Sequence, residues 1–203
     1  AGTTADGEPI EISYEANGNS TARYGGADGG TTVTSNADGD PVRMVTGDAS
    51  YDAFDGEGRP THGKTADGQS IEISYEANGN STARYGGGAD GGTTVTSNAD
   101  GDPVRMVTGD ASYDAFDGEG RPTHGKTADG QSIDISYEAN GSSTARYGGA
   151  DGGVTVTSNA DGDPVRMVSA DASYDAFDGE GRPTHGKTAD GQSIDVAYEG
   201  NGN

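Results

Sequence analysis

Cysteine, tryptophan and leucine are absent from the chain. Without cysteine there is neither a disulfide framework nor a thiolate metal site. Branched and aromatic apolar residues are scarce as well: Ile, Val and Phe together number 21 of 203 residues. That is too few for two packed layers around one large core. No apolar run approaches the roughly 20 residues of a membrane-spanning helix, so membrane insertion is not expected. Basic residues are few, 12 Lys plus Arg against 34 Asp plus Glu, and the formal net charge is -22. Phosphate backbones are bound by basic stripes, so nucleic acid is not an expected partner. By composition alone, scarce branched residues and high net charge read as disorder. The chain has no initiating Met and no signal-peptide pattern, and reads as a processed product or part of something longer.

What is present in abundance is repetition, and it overrules the disorder reading. The motif YEANGN begins at Tyr14 and again at Tyr75, returns as YEANGS at Tyr137 and as YEGNGN at Tyr198. The steps are 61, 62 and 61 residues, the longer one arising from an extra Gly in the run Gly86-Gly87-Gly88. Residues 1–203 thus read as one continuous array, with repeat units 14–74, 75–136 and 137–197 and partial repeats 1–13 and 198–203. Neither end carries a distinct capping sequence, so the chain reads as a window on a longer array.

A finer rhythm runs inside each period. PIEISY (9–14), STARY (20–24), TTVTS (31–35), PVRMV (41–45), SYDAF (50–54) and RPTHGK (59–64) are separated by Gly-, Asn- and Asp-rich connectors. Ile10, Ile12 and Tyr14 alternate with Glu11 and Ser13, the period of a strand with one wet face, and Val42 and Met44 alternate with Arg43 in the same way. Asn-Gly and Asp-Gly pairs supply positive φ at tight hairpin turns, Gly without penalty and Asn or Asp by tolerance. The expected fold is all-β, a repetitive antiparallel hairpin ribbon with about six short strands per 61–62 residues.

The copies test one another. Pro9 is replaced by Ser70 and Ser132, which suits the first residue of a strand. Ala170 stands where earlier copies have Gly109, so that turn position needs no positive φ. Val154 replaces Thr93, which suits a half-buried strand site. One period, with about ten sizeable apolar side chains, buries too little to offset the ordering of its backbone and needs its neighbours.

Tyr51-Asp52-Ala53-Phe54-Asp55-Gly56-Glu57-Gly58-Arg59-Pro60-Thr61, followed by Ala66-Asp67-Gly68, resembles the YD repeat of RHS proteins. Tyr75-Glu76-Ala77-Asn78-Gly79-Asn80 resembles its sister form. The chain departs from that pattern in carrying Glu15, Glu76, Glu138 and Glu199 in the Asp slot, and Pro60, Pro122 and Pro183 in the Leu slot. The resemblance implies a ribbon of β-hairpins that forms shells or barrels of cell-surface and toxin-casing proteins. It also implies a scaffold without catalytic residues, proposals of carbohydrate binding, and an extracellular or cell-surface location. The regular register favours a tube or fibre built by self-association.

Candidate chemistry lies in the turns. Asn36-Ala37-Asp38-Gly39-Asp40 and Asp55-Gly56-Glu57 cluster oxygen ligands, making Asp38, Asp40, Asp55 and Glu57 candidates for weakly bound calcium. The EF-hand spacing and the nonapeptide β-roll repeat are missing, and turn chemistry alone accounts for the Asp-Gly pairs. His62, His124 and His185 recur once per period without a nucleophile elbow or metal-ligand spacing, and read as solvent-facing strand residues; no catalytic or cofactor-binding residue is expected. Lys64, Lys126 and Lys187, flanked by turn residues, give no sign of isopeptide crosslinks. Tyr14, Tyr24 and Tyr51 with their later counterparts read as a structural ladder, with a glycan-stacking surface as the alternative. Arg23, Arg43 and Arg59 lie close in sequence to acids, and local pairing there is expected to relieve repulsion.

Overall fold

The computed structural model describes residues 2–4, 9–25, 30–86, 92–149 and 153–198. The Gly-rich connectors at 26–29, 87–91 and 150–152, which hold the inserted Gly, lie outside the described residues. So does the final repeat mark beyond Tyr198, with Glu199. All regular structure among the described residues is β-strand, and every pairing is antiparallel. The chain forms two compact units, Ala1–Pro103 and Val104–Asn203.

In the first unit the strands are β1 (Gly2–Thr3), β2 (Pro9–Tyr14), β3 (Ser20–Tyr24), β4 (Thr31–Ser35), β5 (Pro41–Val45), β6 (Ala49–Phe54), β7 (Pro60–Thr65), β8 (Ser70–Tyr75), β9 (Ser81–Tyr85) and β10 (Thr93–Ser97). From β1 to β9, each pairs with the strand that follows it. The second unit repeats this with β11 (Pro103–Val107), β12 (Ala111–Phe116), β13 (Pro122–Thr127), β14 (Ser132–Tyr137), β15 (Ser143–Tyr147), β16 (Val154–Ser158), β17 (Pro164–Val168), β18 (Ala172–Phe177), β19 (Pro183–Thr188) and β20 (Ser193–Asp195). Six strands per period is the number read from the connectors, and Pro9, Ser70 and Ser132 each begin a strand as their interchange implied.

The turns differ from expectation in one respect. Positive φ occurs only at glycine among the described residues, so no Asn or Asp adopts it. At the β2–β3 turn the Gly18 N–H donates to the Glu15 carbonyl at 3.0 Å, and the Glu15 N–H donates to the Asn19 carbonyl at 2.9 Å. With Ala16 and Asn17 at negative φ and Gly18 at 93°, this is a type I turn closed by a glycine bulge, the three-residue hairpin loop. The Asn and Asp side chains act as acceptors instead. Asn36 Oδ1 takes the N–H of Asp38 and of Asp40, and Asn17 Oδ1 that of Asn19. In Asp55-Gly56 the left-handed residue is not Gly56 but Gly58, because Asp55 opens the turn. At the β17–β18 turn, where Ala170 replaces glycine, no positive φ is needed, and Ser169 Oγ accepts the Ala172 N–H as Thr46 Oγ1 accepts that of Ala49.

Cross-strand pairing sorts the side chains into two faces. One row in the first unit runs Ile12, Ala22, Val33, Met44, Tyr51, Gly63, Ile71, Tyr85. In the second unit the row runs Ile135, Ala145, Val156, Met167, Tyr174, Gly186, Ile194. Each row arrives two residues short of the position it left, a stagger of roughly 7 Å along the strands per period. The substantial contacts of each strand are with its chain neighbours. Accordingly, the buried hydrophobic side chains among the described residues are Ile71 and Ile133, each 1% exposed. Thr93 and Val154 are half-buried, as their exchange suggested.

Val42 departs from its expected place on the apolar face. It is 45% exposed, and its equivalents Val104 and Val165 behave alike. The reason is a register shift: Thr34 opposes Arg43 but Ser35 opposes Pro41, so Val42 is the extra residue of a β-bulge. A second irregularity sets Asp52 between Tyr51, opposite Gly63, and Ala53, opposite His62.

Candidate functional site

The most elaborate side-chain cluster recurs where β6 turns into β7. Asp55 Oδ1 accepts the N–H groups of Glu57 and Arg59, both at 2.9 Å, which fixes the turn. Its other oxygen receives Arg59 Nε at 2.8 Å and Nη2 at 2.8 Å, while Arg59 Nη1 reaches Glu57 Oε2 at 3.0 Å. Held flat by this fork, the guanidinium lies 4.2 Å from the ring centre of Tyr75 at the end of β8. The Tyr75 hydroxyl completes the cluster by donating to the Pro60 carbonyl at 3.0 Å. Asp117–Arg121–Tyr137 and Asp178–Arg182–Tyr198 repeat it, with guanidinium-to-ring distances of 4.2 and 4.3 Å.

Electrostatics follow from these contacts. The Asp55 carboxyl is held below the usual range first by the Arg59 N–H, then by the Arg59 side chain, against some loss of hydration. At Asp117 burial pushes the carboxyl up, but the Arg121 side chain and N–H outweigh it and the net shift is downward. Burial raises the phenols of Tyr75 and Tyr137. The Asp55 carboxylate, the Arg59 guanidinium and the Tyr75 hydroxyl bond one another or the adjoining backbone, so the cluster's chemistry is that of a clasp tying a turn to the next strand. Tyr14, at the end of β2, is 78% exposed.

Three of the four calcium candidates border one open depression of about 590 Å³, lined by Asp40, Asp55 and Glu57 together with Val42, Asp52 and Phe54. Asp55 and Glu57 there bind Arg59, and Asp40 Oδ2 accepts Asn36 Nδ2 at 3.2 Å. Asp38 is exposed on the neighbouring turn. Among the described residues no group of three or more His, Cys, Asp or Glu side chains is placed to hold a metal. Part of the Gly-Ala-Asp-Gly connector that faintly resembles β-roll loops lies outside the described residues.

The histidines occupy strand positions open to solvent. His124 Nδ1 lies 2.8 Å from Asp134, and His185 Nδ1 the same distance from Asp195; His62 instead faces Glu72 across the sheet, one methylene longer. Lys64, Lys126 and Lys187 are exposed, away from the burial an isopeptide bond requires. Tyr51, Tyr113 and Tyr174 take the structural role, each ring lying over the glycine opposite, Gly63, Gly125 or Gly186. Burial raises the phenols of Tyr51 and Tyr113.

Arginine pairing follows the sequence expectation only at Arg59 and its equivalents. Arg23 stands opposite Glu11 and Arg43 opposite Thr34, and neither forms an ion pair within 4 Å. The described acidic neighbours of Arg43, Asp38 and Asp40, are in the turn before β5, while Arg43 is mid-strand. The stacking of Arg59 on Tyr75 was missed because 16 residues and a whole hairpin separate them. Its only trace in the sequence is that both recur at the same offset in every period. No family model matches the chain, and no curated protein is similar to it at a significant level.

Proposed function

We propose that this chain is a non-enzymatic structural protein, a repeat segment of an extracellular or cell-surface fibre, tube or shell of the YD-repeat kind. The observation that carries this reading is that each period rebuilds the same six strands and the same clasp. Its turn Asn, Asp and Thr side chains recur as backbone acceptors, and its Asp–Arg–Tyr clusters recur with the same geometry. Repetition of a scaffold to set length is a sufficient reason for near-identical copies, whereas an active site gains little from being repeated with its surroundings. Chains of one, two, three and five periods test the reading. Urea midpoints are expected to rise steeply with period number, and particle length in electron micrographs to increase with it. Equal stability for one and five periods, with short particles throughout, would refute it.

The depression lined by Asp40, Asp55 and Glu57 favours a second reading, an adhesin-type module for calcium or glycan. Calcium titration alongside a glycan array separates the two. Saturable binding at one equivalent per period would select the adhesin.

A further inference from the structure

Nine of the twelve basic side chains lie outside the clasps, and within each unit they share one face, one on every second strand. In the first unit they are Arg23 on β3, Arg43 on β5, Lys64 on β7 and Arg84 on β9. The second unit carries Arg105, Lys126, Arg146, Arg166 and Lys187 on β11, β13, β15, β17 and β19. Pairing places them together. The row Glu11, Arg23, Thr32, Val45, Ser50, Lys64, Ser70 crosses the first unit, with Arg43 and Arg84 one row away. In the second unit the row is Asp134, Arg146, Thr155, Val168, Ser173, Lys187, Ser193. All nine are exposed and none has an ion pair, although the chain carries 34 acidic residues. Acids on this face are Glu11, Glu72 and the bulge residue Asp52 in the first unit, and in the second Asp134 and Asp195, both held by histidine, with the bulge residues Asp114 and Asp175.

Most of the remaining negative charge lies at the strand ends. The turns following β2, β4, β6 and β8 carry Glu15, Asp38 with Asp40, Asp55 with Glu57, and Glu76. Asp100 with Asp102 follow β10, and Asp117 with Glu119, Glu138, Asp161 with Asp163, and Asp178 with Glu180 take these places in the second unit. Glu15, Asp38, Asp40 and Glu76 are exposed, and none of them binds a cation. Turns on this rim recur every two strands, roughly 9.5 Å, and so do the cations on the face. Rim and face therefore share one period with opposite charge.

We propose that the cation-bearing face of one unit receives the acidic turn rim of a second copy of this chain, turn against odd-numbered strand, giving lateral association of arrays. The inference goes beyond the structural role proposed above and does not depend on it. Two copies at -22 repel at long range. Association is therefore weak at about 0.01 M salt and strongest near about 0.15 M, where the screening length is roughly 8 Å and contact pairs survive. It weakens again toward about 1 M.

Sedimentation equilibrium of the full chain across this salt range, with far-UV circular dichroism confirming the fold, tests the proposal. One variant neutralises the rim: Glu15→Gln, Asp38→Asn, Glu76→Gln, Asp100→Asn, Glu138→Gln and Asp161→Asn. A control removes the same number of charges at the opposite rim: Asp48→Asn, Asp67→Asn, Asp110→Asn, Asp129→Asn, Asp171→Asn and Asp190→Asn. The rim variant is expected to associate about tenfold more weakly than wild type, about 1.4 kcal/mol, although its net charge is nearer zero; the control associates as well as wild type or better. A wild-type chain monomeric at every salt concentration overturns the proposal, as does a rim variant that associates no more weakly than the control. Monomeric chains that bind dextran sulfate on this face would assign it to an acidic polysaccharide instead.

Discussion

Gly125→Ala isolates a single packing decision in the sheet. Gly125 is buried in β13 opposite Tyr113, and the Tyr113 ring lies over it. A Cβ added there would stand 2.7 Å from Tyr113 Cδ1 and 3.0 Å from Tyr113 Cα, and closer still to the Ser112 carbonyl oxygen. The φ of Gly125 is not in the left-handed region, so alanine gains roughly 0.4–1 kcal/mol from reduced freedom of the unfolded chain. Overpacking opposes this by roughly 1–3 kcal/mol, more where backbone must move. Two of the three contacts are backbone atoms, so the strands must separate and the upper end applies. The expected net loss is about 2 kcal/mol. Two other glycines supply controls. Gly118 has open space around its Cβ and no positive φ, so Gly118→Ala is expected to stabilise by about 0.5 kcal/mol. Gly101 is also uncrowded but has φ of 91°, so Gly101→Ala costs about 1 kcal/mol from conformation alone. Urea melts followed by circular dichroism rank the three. A Gly125→Ala chain melting at or above the Gly118→Ala chain would refute the packing argument.

The clasp can be dissected by a double-mutant cycle. Tyr137→Phe removes the bond to the Pro122 carbonyl and is expected to cost about 1 kcal/mol. Combined with Arg121→Ala in urea melts, it should show little coupling, whereas Tyr137→Leu with Arg121→Ala should couple by about 0.5–1 kcal/mol through the lost stacking. Acid should act through Asp55, Asp117 and Asp178, whose folded carboxyls titrate below the unfolded value of about 3.9. Their stabilisation is present above that value and is lost as pH falls through the folded one, so the urea-midpoint difference between wild type and Asp117→Asn should shrink toward zero in acid. Burial raises Tyr113 and Tyr137, so their contribution is present below about pH 10 and is lost as pH rises through the folded values, and the urea-midpoint difference between wild type and Tyr137→Phe should shrink in alkali.

The order and near-boundaries of the strands were legible in the sequence because both signals are local. Ile10, Ile12 and Tyr14 alternate within one strand, and a glycine that must take positive φ answers to its own turn. Even the tolerance of Ala170 could be read by setting one copy against another. Everything that depended on register between strands was not legible. Val42 belongs by alternation to the apolar face, but the bulge opposite Ser35 puts it in solvent. Gly63 looks like a weak point in a strand until pairing sets it beneath Tyr51. Arg59 was expected to meet an acid, and does, yet its second partner arrives from β8 on the far side of a hairpin. The collection of each unit's unclasped cations on one face likewise needs the ladder to align residues about twenty positions apart. The repeat itself determined that the chain builds hairpins of fixed length and loads its turns with acid. Which side chains share a face was decided by the tertiary structure, because a single extra residue in one strand reverses the alternation written in the sequence.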